Sequence, residues 1–266
     1  MDKKIGFIGC GKMAQAMIKG ILSSGVVSPD LIKVSSKTNT TIKMVKEKYS
    51  IMTTVDNREV AKWADLLFLA IKPDIHKEII QEIKDIVSKD TVIITIAAGI
   101  TLETLEKDFK TEVKAIRTMP NTPSFVGEGM TALCPNSKIT SAELKTVINV
   151  FESFGKVEVI SESLMNSIPA ISGSSPAYVY MFIEALADGG VKNGIPREQA
   201  YRLASQAVLG AAKMVLETGM HPGVLKDQVC TPGGATIEAV SSLEKNGFRS
   251  AVLQAMEKCT EKTKNL

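Results

Sequence analysis

Residues 4–14 read KIGFIGCGKMA, a short apolar run that leads directly into two glycines on either side of one cysteine. Beyond this stretch, apolar residues recur at helical spacing, at Met17, Ile18, Ile21 and Leu22. A strand, a G-x-G-x-x-A turn and a helix in this order are typical of a dinucleotide-binding fold. Gly9 allows the tight turn, Gly11 lets a pyrophosphate approach the backbone, and Ala14 lets helix and strand pack closely. The stretch therefore predicts a nucleotide site at the start of an α/β domain.

The second predicted strand decides between the two nicotinamide cofactors. It covers Leu31–Val34 and is followed by Ser35, Ser36, Lys37 and Thr38. An NAD enzyme usually has Asp or Glu here to bind the ribose hydroxyls. Two hydroxyls and a cation can instead bind a 2′-phosphate through charge-assisted hydrogen bonds. We expect NADPH to be preferred, with NADH as the alternative cofactor; a polar loop that happens to lack an acid is the other interpretation.

Short apolar runs and helical periods alternate over the first 161 residues. Near-continuous apolar runs are typical of parallel strands covered on both faces. Their alternation with helices implies right-handed crossovers in a doubly wound sheet. The predicted strands are 4–9, 31–36, 51–53, 65–71, 91–96 and 113–117, with further candidates at 130–134 and 157–160. The expected fold class is α/β, a Rossmann-type doubly wound parallel sheet.

The pattern changes after residue 161, where apolar residues follow helical spacing almost throughout. Helices are predicted over 178–191, 200–216, 237–243 and 251–259. We therefore divide the chain into residues 1–161, the dinucleotide-binding domain, and residues 162–266, an all-helical domain. Between Ala204 and Val215 small residues surround most of one helix, which indicates burial on several sides and packing against another subunit.

Composition and charge exclude several function classes. The net charge is +3 with both signs mixed along the chain, which argues against a nucleic-acid partner. The four cysteines and two histidines show no metal-ligand spacing, so no metal is expected. The sequence shows neither a secretory signal nor an apolar stretch long enough to cross a membrane. We expect a cytoplasmic enzyme with no membrane partner.

Further candidate residues follow other predicted strands, at the edge where ligands of open parallel sheets bind. They are Ala70–Pro73 after the fourth strand, Ala97–Gly99 after the fifth and Asn121 after the sixth. Lys72 suits a phosphate or a ribose, and an exposed lysine with no ligand is the equal alternative. For Asn121, which lies between two prolines, the alternative is a rigid turn.

Three further residues are interpreted from their local surroundings. Cys10 lies at a helix N-terminus, where the pKa of a thiol tends to fall. His76 is expected to be solvated on its helix, and His221 is expected to begin a turn.

A second glycine turn lies near the C-terminus, where residues 231–236 read TPGGAT and lead into an amphipathic stretch. The first amides of a helix have no intrahelical partners and carry the positive end of its dipole, so such a turn suits a small carboxylate. Gly233 and Gly234 allow a ligand to approach the backbone, and Thr236 places a hydroxyl beside the anion. The alternatives are a plain connection and, for Thr236, the role of a helix cap.

This turn resembles the substrate loop of the pyrroline-5-carboxylate reductase family, and the resemblance extends over essentially the whole chain. The matching blocks are Ile8–Met13, Ala70–Pro73, Asn121–Pro123, Ser172–Tyr178, Ala187–Lys192, Leu209–Met214, His221–Gly223, Leu225–Asp227 and Thr231–Thr236. One block departs from the family pattern, because Ser175 replaces a glycine in Ser-Gly-Ser-Gly-Pro. The resemblance implies a Rossmann domain, a helical dimerisation domain, and active sites where the two meet. It also implies an interlocked homodimer and larger rings of dimers.

The family's positions and the strand-end positions together define two expected sites. The nucleotide is expected to contact Ile8, Gly9, Cys10, Gly11, Lys12, Met13, Ser35, Ser36, Asn57, Ala70, Ile71, Lys72, Pro73, Ile96, Ala97, Ala98 and Asn121. The substrate is expected to contact Thr231, Gly234, Ala235 and Thr236. By the resemblance, Thr236 is the catalytic residue, because it meets the ring nitrogen.

The resemblance implies that NADPH reduces the C=N bond of 1-pyrroline-5-carboxylate to give L-proline, the last step of proline biosynthesis. No carboxylate lies in residues 231–236, so we expect the substrate to bring its own proton and catalysis to depend on positioning and electrostatics. Two alternatives are a 3-hydroxyacid-dehydrogenase-like reductase and a non-enzymatic NADP-binding protein. The first uses a lysine and an asparagine on a helix whose counterpart here, residues 176–188, contains neither.

Overall fold

A computed structural model of the chain describes residues 1–264; Asn265 and Leu266, the last two of the predicted helical domain, lie outside the described residues. Within it, eight strands form one sheet. The strands are β1 Ile5–Ile8, β2 Ile32–Ser35, β3 Met52–Thr54, β4 Leu66–Leu69, β5 Val92–Thr95, β6 Lys114–Met119, β7 Gly129–Pro135 and β8 Gly155–Val159. Each strand predicted from the sequence is therefore present.

Helices connect most of these strands and form most of the chain after β8. They are α1 Lys12–Ser24, α2 Asn39–Tyr49, α3 Asn57–Trp63, α4 His76–Ile83, α5 Leu102–Phe109, α6 Ser141–Glu152, α7 Glu162–Met165, α8 Ser175–Lys192, α9 Arg197–Thr218, α10 Pro222–Val229, α11 Ala235–Lys245 and α12 Phe248–Lys264. Their ends follow the local sequence. Thr140 and Glu143 form a capping box at the start of α6, and α1 ends at Gly25, whose left-handed φ of 67° suits glycine.

The strands lie in the order β3-β2-β1-β4-β5-β6-β7-β8. All neighbours from β3 to β6 are parallel, as predicted for a doubly wound sheet. The chain order reverses between β1 and β4, which creates the crevice where ligands of such sheets bind.

One feature of the sheet was not predicted, because β7 runs antiparallel to β6. The connection between them is short and contains only the 3₁₀ turn Thr122–Val126. A parallel crossover needs a dozen or more residues, so this connection returns the chain in the opposite direction. β8 then pairs parallel with β7 at the edge of the sheet.

Two apolar layers cover the two faces of the sheet. On one face Phe7 and Phe68 stack with their ring centroids 4.6 Å apart, and Phe151 of α6 packs against Phe68. On the other face Leu67 and Leu69 pack with residues of α3, α4 and α5. The near-continuous apolar strands are explained by this two-sided burial.

The chain forms two compact units. The first, the sheet unit, is Met1–Ser174 together with the described end of the chain from Cys259; the second, the helical unit, is Ser175–Lys258. Hydrogen bonds hold residues 162–174 on the sheet unit, where Arg117 Nη2 donates to Asn166 Oδ1 at 2.7 Å and Asn121 donates to the Ser172 carbonyl at 2.9 Å. The predicted boundary at 161/162 marks where helical periodicity begins, which is a different criterion, and it stays a prediction.

The helical unit has little buried apolar surface of its own. α8 and α9 pack against each other, with Ala187, Ala200 and Ala204 buried. Many large apolar side chains of these helices are exposed, among them Tyr180, Met181, Leu203, Leu209, Met214 and Leu216. α10 was not predicted; His221, expected to begin a turn, accepts a hydrogen bond from Gly223 N–H and begins this helix.

Trp63 is the last residue of α3 and lies at the amino ends of the strands. The ammonium nitrogens of Lys4 and Lys33 lie 5.8 and 5.0 Å from the centroid of its ring. Both distances are in the range of a cation–π contact. Across residues 1–264, none of the helices has the length and apolar character needed to span a membrane.

Candidate functional site

Gly9 forms the tight turn at the carboxyl end of β1. Its φ is +93°, and a Cβ built on it would lie 2.4 Å from the Ala70 carbonyl oxygen. Its N–H donates to the Ser35 carbonyl at 3.1 Å. The turn therefore joins the ends of β1, β2 and β4 at the crevice where the strand order reverses, and only glycine fits there.

Gly11 precedes α1 and leaves its first turn open. It is the N-cap residue with φ −70° and ψ −176°, and no side chain in the described chain caps this helix. A Cβ at Gly11 would meet nothing within 4 Å. Lys12 is exposed, Met13 is half-buried, and the first turn carries no acidic residue. Free amides, open space and the helix dipole together fit the pyrophosphate of a dinucleotide.

The end of β2 carries a chain of hydrogen bonds. Ser35 is buried, and its hydroxyl donates to Asn57 Oδ1 at 2.7 Å. Asn57 Nδ2 in turn donates to Glu82 Oε2 at 2.9 Å. Ser36 is half-buried and Lys37 is exposed. The side chains of Ser35 and Asn57 are thus engaged with each other, and the predicted contacts of Ser36 and Lys37 with a 2′-phosphate stay predictions.

The ends of β4 and β5 lie beside the glycine turn. The Ala70 N–H donates to the Ile8 carbonyl at 2.8 Å, and Ile71 is half-buried whereas Lys72 and Pro73 are exposed. After β5, Ala97 is buried between the half-buried Ile96 and Ala98. The parallel register of β1, β4 and β5 brings these expected nucleotide contacts to one edge of the sheet.

Asn121 is fixed by its own hydrogen bonds. Its Nδ2 donates to the Ser172 carbonyl at 2.9 Å, and its Oδ1 accepts from the Met130 N–H at 2.8 Å. Its carbonyl accepts from the Ser124 hydroxyl at 2.8 Å. These bonds give Asn121 the role of holding the β6–β7 turn, and its predicted contact with the nucleotide stays a prediction.

The second glycine turn begins α11 in the helical unit. Gly233 has a φ of +68°, and the Gly234 N–H donates to the Thr231 carbonyl at 3.0 Å. A Cβ on Gly234 would lie 2.4 Å from Thr231 Oγ1. Gly234 is the N-cap, and the described side chains supply no cap to this helix either. The turn thus presents the first amides of α11, including those of Ala235 and Thr236, for an anion.

Comparison with known proteins identifies the family. A family model described as pyrroline-5-carboxylate reductase dimerisation matches residues 162–266. Another, described as NADP oxidoreductase, coenzyme F420-dependent, matches residues 4–99. The pyrroline-5-carboxylate reductase of Escherichia coli strain K12 is 49% identical over 266 residues, covering 100% of this chain and 99% of that protein. The chain belongs to the pyrroline-5-carboxylate reductase family.

Two solved structures named as pyrroline or pyrroline-5-carboxylate reductases share the fold over the full chain. The enzyme from Coxiella burnetii is 34% identical with a TM-score of 0.92, covering 100% of this chain and 98% of that one. The enzyme from Plasmodium falciparum, with NADP bound, is 37% identical with a TM-score of 0.88, covering 99% and 98%. The predicted fold class is confirmed. The dimerisation segment of the reductase family also indicates a homo-oligomer, in agreement with the exposed apolar side chains of the helical unit.

The structure corrects three interpretations made from the sequence. Burial raises the pKa of the Cys10 thiol to about 11, against the expected fall, because the enclosed thiolate loses its hydration. Thr236 is not the helix cap, because Gly234 holds that position and Thr236 lies two residues inside α11. His76 is not solvated but 1% exposed, with its Nε2 3.0 Å from Thr95 Oγ1.

Sequence reasoning also missed side chains that support the nucleotide site of this reductase-family chain. Glu82 binds Asn57, and Thr95 accepts the Ala97 N–H at 3.2 Å. Neither residue belongs to a motif, and each makes contacts that depend on the packing of α4 and β5. Only Thr95 carried a weak sequence signal of a special role, because it is the one polar residue in the apolar run 92–96.

Proposed function

We propose that the protein reduces 1-pyrroline-5-carboxylate to L-proline with NADPH. One observation carries the proposal: the helical unit contains an uncapped helix start, formed by Thr231–Gly234, with Thr236 in its first turn. This is an anion site with one hydroxyl beside it, which suits a small cyclic imine bearing a carboxylate. The family relationship and the nucleotide turn of the sheet unit support the same reaction.

The nucleotide would be held by the sheet unit. The amides of the first turn of α1 would bind its pyrophosphate, and the loops at the ends of β4 and β5 would hold its ribose and nicotinamide ring. Ser36 and Lys37 would bind the 2′-phosphate, which favours NADPH over NADH. When bound, NADPH supplies the hydride that the C=N carbon accepts.

The substrate would be held by the second glycine turn. The amides at the start of α11 would bind its carboxylate, with Thr231 and Gly234 setting the shape of the turn. Thr236 Oγ1 would hydrogen-bond the ring nitrogen and hold the C=N carbon in position for hydride transfer. The first acidic residue of α11 is Glu238, which is exposed. The proton on the ring nitrogen would therefore come with the substrate.

The assembly would be a homodimer formed through the helical unit, with rings of dimers as the larger form. The exposed apolar side chains of α8 and α9 support the dimer. Size-exclusion chromatography with light scattering would test both states; a monomer at micromolar concentration would contradict them. The cytoplasmic location expected from the sequence stays a prediction.

The reaction is tested by following NADPH oxidation with racemic pyrroline-5-carboxylate and measuring proline, with NADH in a parallel run. Enzyme-dependent loss of NADPH with equal formation of proline is the expected result, and NADH should be the poorer cofactor. NADPH binding without turnover would favour the non-enzymatic alternative. Oxidation of a 3-hydroxyacid in place of imine reduction would favour the dehydrogenase alternative.

A further inference from the structure

A buried polar cluster lies at the carboxyl end of β5, beneath the loops expected to hold the nucleotide. Its centre is Thr95, which is fully buried, and its least expected member is His76, the first residue of α4. His76 Nε2 lies 3.0 Å from Thr95 Oγ1. A histidine and a threonine enclosed in an otherwise apolar layer cost desolvation energy, so their hydrogen bonds must be satisfied in a definite arrangement.

Thr95 connects three strand ends through separate hydrogen bonds. Its Oγ1 accepts from the Ala97 N–H at 3.2 Å, which holds the loop after β5. Its carbonyl accepts from the Thr118 hydroxyl at 2.9 Å, which ties it to β6. The bond to His76 connects it to the loop after β4, because the turn from Lys72 to Ile75 closes directly before His76, with the Ile75 N–H donating to the Lys72 carbonyl at 3.3 Å.

Burial keeps this cluster uncharged. It lowers the pKa of His76 to about 4, and the carboxylate of Asp108 opposes this shift only in part. The hydroxyl of Thr95 can donate to Nε2 or accept from it while it also accepts the Ala97 N–H, so the direction of this bond depends on the tautomer of His76. Among the described residues nothing bonds to Nδ1. A neutral imidazole therefore fixes the distance between α4 and β5 without adding a charge near the nucleotide.

We propose that His76 and Thr95 are positioning residues for NADPH, which hold the Ala70–Pro73 loop and the Ile96–Ala98 loop at the spacing that the nucleotide requires. This inference rests on the proposed function, because it takes both loops as nucleotide contacts. His76 and Thr95 act through the backbone of these loops. Neither side chain is assigned a contact with NADPH or with the imine.

A purely structural role makes a different prediction, and β5 itself offers the control. Thr91, directly before β5, is also buried, and its hydroxyl donates to the Ala64 carbonyl at 2.9 Å. Thr91→Val and Thr95→Val thus remove one buried hydroxyl each, at opposite ends of the same strand. If the hydroxyls only stabilise the sheet, both substitutions should lower the unfolding midpoint, and the two variants should bind NADPH with the same affinity.

The test is isothermal titration of NADPH into the wild type and the variants, together with thermal unfolding. Thr95→Val is expected to raise the Kd for NADPH about tenfold, because His76 and the Ala97 N–H both lose their partner, whereas Thr91→Val leaves it unchanged. Thr95→Ser should restore affinity because it keeps the hydroxyl. His76→Leu should raise the Kd similarly, and His76→Gln, which keeps a polar group at the same reach, by less.

Two further measurements complete the test. In a cycle with His76→Leu, the double variant should be little worse than Thr95→Val alone, because Thr95→Val already removes the hydroxyl that His76 contacts. In the imine assay the KM for NADPH should rise with little change in the KM for the imine. Equal NADPH affinity in Thr95→Val and Thr91→Val would overturn the proposal. If Thr95→Val does not fold, unchanged affinity in His76→Leu would overturn it equally.

The binding measurement separates this proposal from the proposed function. NADPH affinity is measured without any imine, so a wild type that binds NADPH and does not turn over would leave the positioning role testable. Conversely, normal imine reduction with unchanged affinity in every variant would reject the positioning role alone.

Discussion

The two glycine turns of this chain are built alike but set in opposite surroundings. Each has one glycine with a positive φ, Gly9 and Gly233, followed by a glycine at the N-cap, Gly11 and Gly234. In the described chain neither helix receives a side-chain cap. In the first turn, a Cβ added to Gly9 would clash with the backbone, whereas a Cβ added to Gly11 would meet nothing. In the second turn the reverse holds, because the clash is at the N-cap Gly234 and not at the positive-φ glycine.

The two turns also differ in the charges beside them, and these charges indicate which kind of anion each turn suits. The first turn of α1 has no acidic residue, whereas that of α11 contains Glu238, which offsets part of the positive potential at the helix start. The α1 site therefore suits a pyrophosphate with more than one charge, and the α11 site suits a single carboxylate. Under the proposed function, the same backbone turn would bind two different anions, and the neighbouring side chains would set which one.

The largest effect is expected for Gly9→Ala. The substitution places a Cβ against the Ala70 carbonyl oxygen at a φ of +93°, and we expect the free energy of unfolding to fall by about 3 kcal/mol or more. NADPH binding should be lost. Gly25→Ala is the control, since its φ is +67° with nothing near the added Cβ, and it should cost about 1 kcal/mol. Chemical denaturation measures both, and similar losses would show that crowding at Gly9 is unimportant.

Thr236→Ala tests the hydroxyl of the second turn. We expect kcat/KM for the imine to fall on the order of 10- to 1000-fold, because the ring nitrogen loses its hydrogen-bond partner. Since Gly234 is the N-cap, the unfolding midpoint should not change, and Thr236→Ser should recover activity. Ser242→Ala, further along α11, is the matched control. Near-normal kinetics in Thr236→Ala would remove this residue from the mechanism.

Substituting both N-cap glycines provides a direct comparison of the two turns. Gly11→Ala adds a Cβ to open space, so the fold should be unaffected while the Kd for NADPH rises about tenfold or more. Gly234→Ala adds a Cβ 2.4 Å from Thr231 Oγ1. It should lower kcat/KM for the imine and leave NADPH affinity unchanged. Steady-state kinetics with NADPH titration distinguishes the two, and the opposite pairing of effects would reverse our assignment of the turns.

The mildest test changes no residue and compares the alkylation rates of the two thiols that lie beside the turns. With a pKa of about 11, Cys10 is about 0.1% thiolate at pH 8, and its alkylation rate should rise about tenfold per pH unit up to that pKa. The half-buried Cys230 precedes the second turn and should label first. Iodoacetamide labelling followed by peptide mass spectrometry measures both. Fast labelling of Cys10 in the native protein would show that the first turn opens readily.

What the sequence predicted correctly depends on residues close together in the chain. The glycine turns and the strands follow from local spacing, and local spacing is retained in the fold. The position of Gly234 as N-cap of α11, which excludes Thr236 from that role, depends on where the turn closes on Thr231. The burial of His76 depends on Thr95, nineteen residues later, and neighbouring Ile75 and Lys77 are exposed. The reversed β7 and the raised pKa of Cys10 likewise follow from packing that periodicity does not record.

Trp63 gives the sheet unit an optical signal of its own. It is the only tryptophan of the 266 residues and lies beneath Lys4 and Lys33 at the end of α3. Its fluorescence during denaturation therefore follows the sheet unit alone, whereas far-ultraviolet circular dichroism follows the helices of both units. If the fluorescence and circular dichroism curves coincide, the two units unfold as one cooperative body; if the curves are displaced, the units unfold one after the other. The natural tryptophan thus distinguishes the two cases without an added label.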